Sequence, residues 1–192
     1  MKARELIEAL HVAEKLKNNT RHCYTSSGRH ESVAEHCWRS ALMAMWMAEE
    51  FPKADMNKVL KMLLLHDLGE AFTGDIPTFE KTAADEETEA RRLSAWVESL
   101  PEKESREMAA LYAEMEARET VEAKIYKAID GMEALLQHNE SELSTWLPLE
   151  YDLQRTYAWE RVEFSPYLKE VREALLEDTE TKIACGKADG MV

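Results

Sequence analysis

Glycine and proline are scarce, six and five among 192 residues. A chain so short of turn formers, with both charge signs mixed throughout, is expected to be helical, soluble and globular. Cysteine is scarce too. Cys23, Cys37 and Cys185 are odd in number and form no CxxC pair, which argues against a disulfide framework and fits a reduced, cytoplasmic protein better than a secreted one. Long apolar runs are missing. The longest, Ala41 to Ala48, has eight residues, far short of the roughly 20 that span a membrane. The opening MKARELIEAL reads as the start of an amphipathic helix and not as a cleavable hydrophobic segment. Positive charge is in deficit: Lys and Arg total 24 against 38 Asp and Glu, a net −14. Binding a phosphate backbone requires clustered Lys and Arg, so neither a nucleic-acid polymer nor an anionic membrane is an expected partner. A small anionic substrate stays open if positive charge is supplied locally.

What is present is one domain of helix. The length falls within the roughly 100–200 residues of a single domain, and such a chain buries about 70% of its unfolded surface without disulfides. No repeat, low-complexity tract or linker divides residues 1–192. Apolar periodicity predicts helices at 3–17, 32–50, 55–68, 84–99, 102–117, 119–138, 149–163 and 166–179. Ser32 and Glu35 form a capping box at the second of these. Pro101 and Pro166 sit where a helix start tolerates a missing N–H. Two polar stretches, 18–31 and 69–83, are expected to be loops. The tail 180–192 is expected to fray and to leave Cys185 free.

One predicted helix carries polar groups where apolar ones belong. Val59 to Leu65 is apolar almost all round, which marks a central helix. Asp67 follows four residues after Leu63, in phase with its stripe, and His66 follows four after Met62. An unpaired carboxylate buried there costs several kcal/mol. A backbone carbonyl for His66 and a salt bridge for Asp67 are the ordinary remedies. A divalent cation satisfies both neighbours at once. His36, at the edge of the stripe Val33, Cys37, Ala41 and Met45, and Asp130, beside the stripe Ile125, Ile129 and Met132, are the further candidate ligands. Gly131 permits close approach of another segment there. Two imidazoles with two carboxylates suit Mn²⁺, Co²⁺, Fe²⁺ or Zn²⁺. His22-Cys23 with His36-Cys37 is a competing zinc set, ranked lower because neighbours on a helix point about 100° apart.

The segments Glu31-Ser32-Val33-Ala34-Glu35-His36 and His66-Asp67-Leu68-Gly69-Glu70, followed by Gly74-Asp75 and Asp130, resemble the HD-domain metal-dependent phosphohydrolases. Within them the pattern is most similar to the bacterial 5′-deoxynucleotidase group and its eukaryotic relatives, over residues 5–165. The resemblance implies an all-α, single-domain helical bundle, a tendency to form a homodimer, and one divalent metal ion on His36, His66, Asp67 and Asp130. It implies that Glu70 and Asp75 are the catalytic acidic residues beside the activated water. It further implies that Arg21 contacts the substrate phosphate. The bacterial group carries Trp after that arginine, where it helps select 2′-deoxyribose; here the neighbour is His22, so the sugar preference stays open.

The implied reaction is hydrolysis of a nucleoside 5′-monophosphate, including 2′-deoxy forms, by water activated on the metal. Glu70 follows Asp67 by three residues, so a continuing helical turn sets it over the same face. A triphosphate is a poorer fit, since only Arg29 and Arg39 stand near the motifs. Cyclic-dinucleotide phosphodiesterases of this superfamily show HD-x-GK, where this chain has Glu70 for the lysine. Nucleoside triphosphate or guanosine-tetraphosphate hydrolysis and a non-catalytic, metal-stapled scaffold are the alternatives. The remaining histidines, His11, His22, His30 and His138, are dispersed. Trp38, Met43, Met45, Trp46 and Met47 are expected to serve core and dimer packing, with a partner-binding face as the other reading.

Overall fold

Three helices with strong apolar stripes decide the architecture. In the computed structural model, which describes residues 1–188, α2 (Val33–Trp46), α3 (Met56–Leu65) and α7 (Val121–Glu140) pack against one another. Ala44, Val59, Met62, Leu63, Ile125, Ala128, Ile129 and Met132 between them are fully buried. The capping box at the start of α2 forms as the sequence predicts: Glu35 N–H donates to Ser32 Oγ at 3.3 Å, and Ser32 N–H donates to Glu35 Oε2 at 2.9 Å. Around this centre lie α1 (Ala3–Glu14), the pair α5 (Ala83–Ser99) and α6 (Glu102–Ala117), α8 (Glu150–Thr156), α9 (Trp159–Val162) and α10 (Pro166–Ala188). The fold is all-α apart from one small hairpin. Among the described residues no helix is long and apolar enough to cross a membrane.

Five segments differ from the sequence expectation, among them 69–83, expected to be a loop, which holds a short helix at Glu70–Thr73. Residues 18–31 are not a plain loop. β1 (Thr20–Tyr24) and β2 (His30–Ser32) pair antiparallel, closed by a turn at Gly28 with φ of 81°. The pairs Thr20–Ser32 and Tyr24–His30 leave more residues on β1 than on β2. The surplus bulges, and bulges re-aim side chains. The segment predicted as one helix at 149–163 breaks at Ala158, which sits at φ 66°. The break is stabilised by Arg172, fully buried on α10. Its Nε donates to Tyr157 O at 3.0 Å and its Nη2 to Gln154 O at 2.7 Å, carbonyls of the interrupted helix. α10 runs to Ala188, into the stretch expected to fray; residues 189–192 of that expectation lie outside the described residues.

α3 stops at Leu65, earlier than predicted. The chain continues in tight i to i+3 turns, Leu68 N–H to Leu65 O at 3.1 Å and Glu70 N–H to Asp67 O at 3.0 Å, before α4 (Glu70–Thr73). Glu70 is therefore the first residue of a new short helix and not part of a continuing turn. Gly74 ends α4 at φ 81°, ψ 164°, a region open essentially to glycine alone. That turn delivers Asp75 to the wall of the cavity that Asp67 and Asp130 also line. Gly74→Ala is expected to lower stability by about 1–3 kcal/mol, the usual cost of such a backbone state, measured as the shift of the urea midpoint. A midpoint equal to that of the wild type refutes the strain argument.

Candidate active site

The start of α2, the end of α3 and the middle of α7 bring four candidate ligands together. His36 comes from the first turn of α2, His66 and Asp67 from the end of α3, and Asp130 from the middle of α7. The two imidazoles face each other with Nε2 atoms 3.1 Å apart. Asp130 Oδ1 lies 3.2 Å from His36 Nε2 and 3.3 Å from His66 Nε2. Asp67 Oδ2 lies 3.1 Å from His66 Nε2 and 3.7 Å from His36 Nε2. His36 is fully buried, and the side chains of His66, Asp67 and Asp130 are 5%, 23% and 15% exposed, so the cluster opens on its carboxylate side.

Hydrogen bonds on the far side of each ring fix which nitrogen faces the cluster. His66 Nδ1 is 2.8 Å from Leu63 O. A carbonyl only accepts, so Nδ1 carries the proton and Nε2 presents a lone pair. His36 Nδ1 donates to Glu133 Oε2 in the same way. Two lone-pair nitrogens ringed by carboxylate oxygens repel unless positive charge lies among them. Protons answer the same demand. Burial favours the neutral rings, yet Glu133 and Asp130 raise His36, and Asp67 raises His66, above the ordinary histidine range. The donor set fits a divalent ion of the Mn, Co, Fe or Zn type. A trio of Glu31, His36 and Glu133 also lies close enough to share an ion, but Arg21 and Arg39 already neutralise its carboxylates.

The competing cysteine set does not assemble. Cys23 Sγ donates to Glu31 at 3.3 Å, and His22 turns to Glu150. Cys37 Sγ stands 3.9 Å from His66 Nδ1, the nitrogen that faces away from the cluster. All three cysteines are free.

A cavity of about 530 Å³ opens above Asp67 and Asp130 and is also lined by Arg21, His22, Glu70 and Asp75. Arg21 reaches it from the β1 bulge. Its Nη1 donates to Glu31 at 3.0 Å and Glu133 at 3.3 Å, while Nε and Nη2 make no hydrogen bond among the described residues. Glu70 is buried, and its Oε2 has no hydrogen-bond partner. Burial, with Asp67 and Asp75 alongside, pushes its carboxyl up to about 10, against the pull of Lys81. Asp75 is raised as well, by burial first and Asp67 next, with Arg21 opposing.

The cavity wall also holds residues outside the sequence motifs. Lys127 Nζ donates to Asp130 Oδ2 at 2.8 Å, which turns Oδ1 to the histidines. Arg161 approaches the same Oδ2 at 3.9 Å and stacks on Tyr157 at 4.5 Å. A Cβ on Gly131 would meet Arg161 Nη1 and Ala158 Cβ at 3.0 Å each, so this glycine accommodates side chains of the α8–α9 break. Arg118 and Lys81 complete the cations of the cavity. The expectation that only Arg29 and Arg39 stand near the motifs is corrected: Arg29 pairs with exposed Glu35, and Arg39 with Glu133, Gln137 and Glu140. Two of the dispersed histidines also meet. His22 Nε2 and His138 Nε2 lie 3.1 and 2.9 Å from one buried oxygen, Glu150 Oε1, in the wall of the cavity. Lys127 and Glu133 had a signal, since they stand three residues before and after Asp130 on α7. Arg161 and Glu150 had none, because nothing local in sequence ties them to the motifs.

Comparison with known proteins gives the same frame. The chain is 31% identical over 144 residues to human 5′-deoxynucleotidase HDDC2, covering 73% of this chain and 70% of that protein. A predicted metal-dependent phosphohydrolase from Magnetospirillum magnetotacticum MS-1 shares the fold with a TM-score of 0.80 at 30% identity, over 93% of both chains. The cyanophage S-2L HD phosphohydrolase, solved with dA and one catalytic Zn²⁺, aligns with a TM-score of 0.56 at 25% identity, over 91% of this chain and 95% of that one. With the HD-domain model matching residues 13–172, the chain belongs to the HD-domain family.

Proposed function

We propose that this HD-family hydrolase removes phosphate from nucleoside 5′-monophosphates, 2′-deoxy forms included, with one divalent metal ion held by His36, His66, Asp67 and Asp130. The observation that carries the reading is the four-ligand cluster at the floor of a cavity beside a guanidinium with free N–H groups. The cavity is of a size that encloses a small ligand. The names of the human and cyanophage relatives support nucleotide chemistry.

The ion, when bound, supplies Lewis acidity to a phosphoryl oxygen and lowers the pKa of water. The chain supplies the rest. Arg21 Nε and Nη2 form a fork for the phosphate oxygens. Glu70 and Asp75 line the same cavity, one to take the proton of the attacking water and the other to give one to the departing 5′-oxygen. Such proton transfer contributes about 10²–10⁴-fold. His22 and His138, held by Glu150, form a wall against which the nucleoside rests. The net charge of −14 does not oppose an anion here. Five cations (Arg21, Lys81, Arg118, Lys127, Arg161) against six carboxylates (Asp67, Glu70, Asp75, Glu86, Asp130, Glu150) line the cavity, and a divalent ion tips that balance positive.

The same cations favour a second reading, hydrolysis of nucleoside triphosphates, for which Lys127, Arg161 and Arg118 would meet the additional phosphates. The exposed face Trp38, Met45 and Trp46 of α2, at 62%, 59% and 76% exposure, is where we place the second copy of a homodimer, as large exposed apolar patches mark interfaces.

Phosphate release from AMP, dAMP, dTMP and GMP with Mn²⁺ or Co²⁺ added after EDTA stripping is expected; no turnover across the panel with metal bound sinks the monophosphatase reading. Release of triphosphate or pyrophosphate from ATP or dATP, with monophosphates inert, selects the second. Glu70→Ala is expected to keep metal content while kcat falls by at least about 10²; loss of metal instead makes Glu70 a ligand. Metal at 100 times its Kd is expected to stabilise the fold by about 2.7 kcal/mol, and Asp67→Ala to abolish that gain in thermal melts. Trp46→Glu is expected to yield monomer in sedimentation velocity, and an unchanged dimer refutes the placement.

A further inference from the structure

One buried carboxylate in the molecule touches both halves of the site and reacts with neither. Glu133 is fully buried on α7, one turn past Asp130. Its Oε2 accepts from His36 Nδ1 and, at 3.3 Å, from Arg21 Nη1. Its Oε1 accepts from Arg39 Nε at 2.6 Å. Three donors from two other elements, β1 and α2, thus converge on two oxygens of a single side chain.

We propose that Glu133 is a positioning residue that holds the metal ligand His36 and the phosphate fork Arg21 in one hydrogen-bonded unit, so that metal affinity and phosphate affinity both depend on it. The inference rests on the metal and phosphate roles proposed above. The physical argument has two parts. A carboxylate on Nδ1–H fixes the imidazole tautomer that offers Nε2 to a metal and raises its basicity as a ligand. The same oxygen, with Glu31, engages only Nη1 of Arg21, which sets the direction of the remaining N–H groups along the cavity. Arg39 binds the opposite oxygen and extends to Gln137 and Glu140. It joins α2 to α7 without contacting the cluster.

Glu133→Gln keeps the volume and removes the charge. An amide offers one acceptor oxygen and two N–H donors, so three converging donors are no longer satisfied. Mn²⁺ affinity, read by electron paramagnetic resonance, is expected to fall about 10–100-fold, the range for lost partners of ligating histidines. Affinity for inorganic phosphate at saturating Mn²⁺, read by calorimetry, is expected to fall about tenfold, as for a lost bond to a charged group. Arg39→Gln serves as the structural control. It is expected to reduce thermal stability but to leave both affinities within about threefold.

Equal losses of affinity in Arg39→Gln and Glu133→Gln would reduce Glu133 to a structural role and overturn the proposal. Loss of Mn²⁺ affinity with phosphate affinity intact would overturn the coupling to Arg21. Wild-type protein that binds neither Mn²⁺ nor phosphate sinks the proposed function itself, whereas wild-type binding with an unaffected Glu133→Gln sinks only this inference. Should Glu133→Gln fail to fold, ¹⁵N-histidine spectra of the Zn²⁺-loaded wild type decide. A protonated Nδ1 on His36 supports the positioning role, and a zinc-ligated Nδ1 overturns it.

Discussion

The structure depends on the meeting of four electron-rich side chains where the apolar faces of three helices converge. His36, His66, Asp67 and Asp130 place their ligand atoms within 3.1–3.7 Å of one another's imidazole nitrogens. Such a cluster is unfavourable without positive charge at its centre. The surrounding residues act on that constraint. Leu63 O and Glu133 orient the rings, Lys127 turns Asp130, and Tyr112 donates to Leu65 O at 2.9 Å where α3 gives way to tighter turns. The apolar contacts of α2, α3 and α7 supply the driving force for folding, and the polar contacts beside them decide which atoms face inward.

The polar residues of α7 form a second theme. Lys127, Asp130, Glu133, Gln137 and Glu140 follow at spacings of three and four, so they lie along one side of the helix. Arg39 bonds three of them, Glu133, Gln137 and Glu140. Lys127 and Asp130 bond each other, Glu133 takes His36 and Arg21, and Gln137 donates to Tyr24 O at 2.7 Å. The helix therefore spans from the ligand cluster to the hairpin with one continuous row of hydrogen bonds.

How far the sequence reveals this follows from the range of each interaction. The helices, the Ser32–Glu35 capping box and the four ligand candidates were legible because periodicity and short motifs are local signals. Glu133 and Lys127 were legible in principle from their spacing to Asp130. The hairpin was not, since residues 18–31 carry no alternation and the bulge breaks what pairing there is. The break at Ala158 was hidden for another reason: alanine favours helix, and the interruption is stabilised by Arg172, fourteen residues further on. Arg161 and Glu150 become part of the cavity only through tertiary packing of the last third of the chain.

That last point separates two duties within one cavity. The atoms proposed to hold an ion lie on α2, just past the end of α3, and on α7, whereas Glu150, Gln154, Tyr157 and Arg161 come from α8, the Ala158 break and α9. The two groups belong to separate stretches of backbone, which meet closely at Gly131, where a Cβ would stand 3.0 Å from Ala158 Cβ and from Arg161 Nη1. Exchange of Glu150, Gln154 or Tyr157 therefore reshapes the room available to the outer part of a substrate, whereas Arg161, which reaches Asp130, ties that wall to the floor.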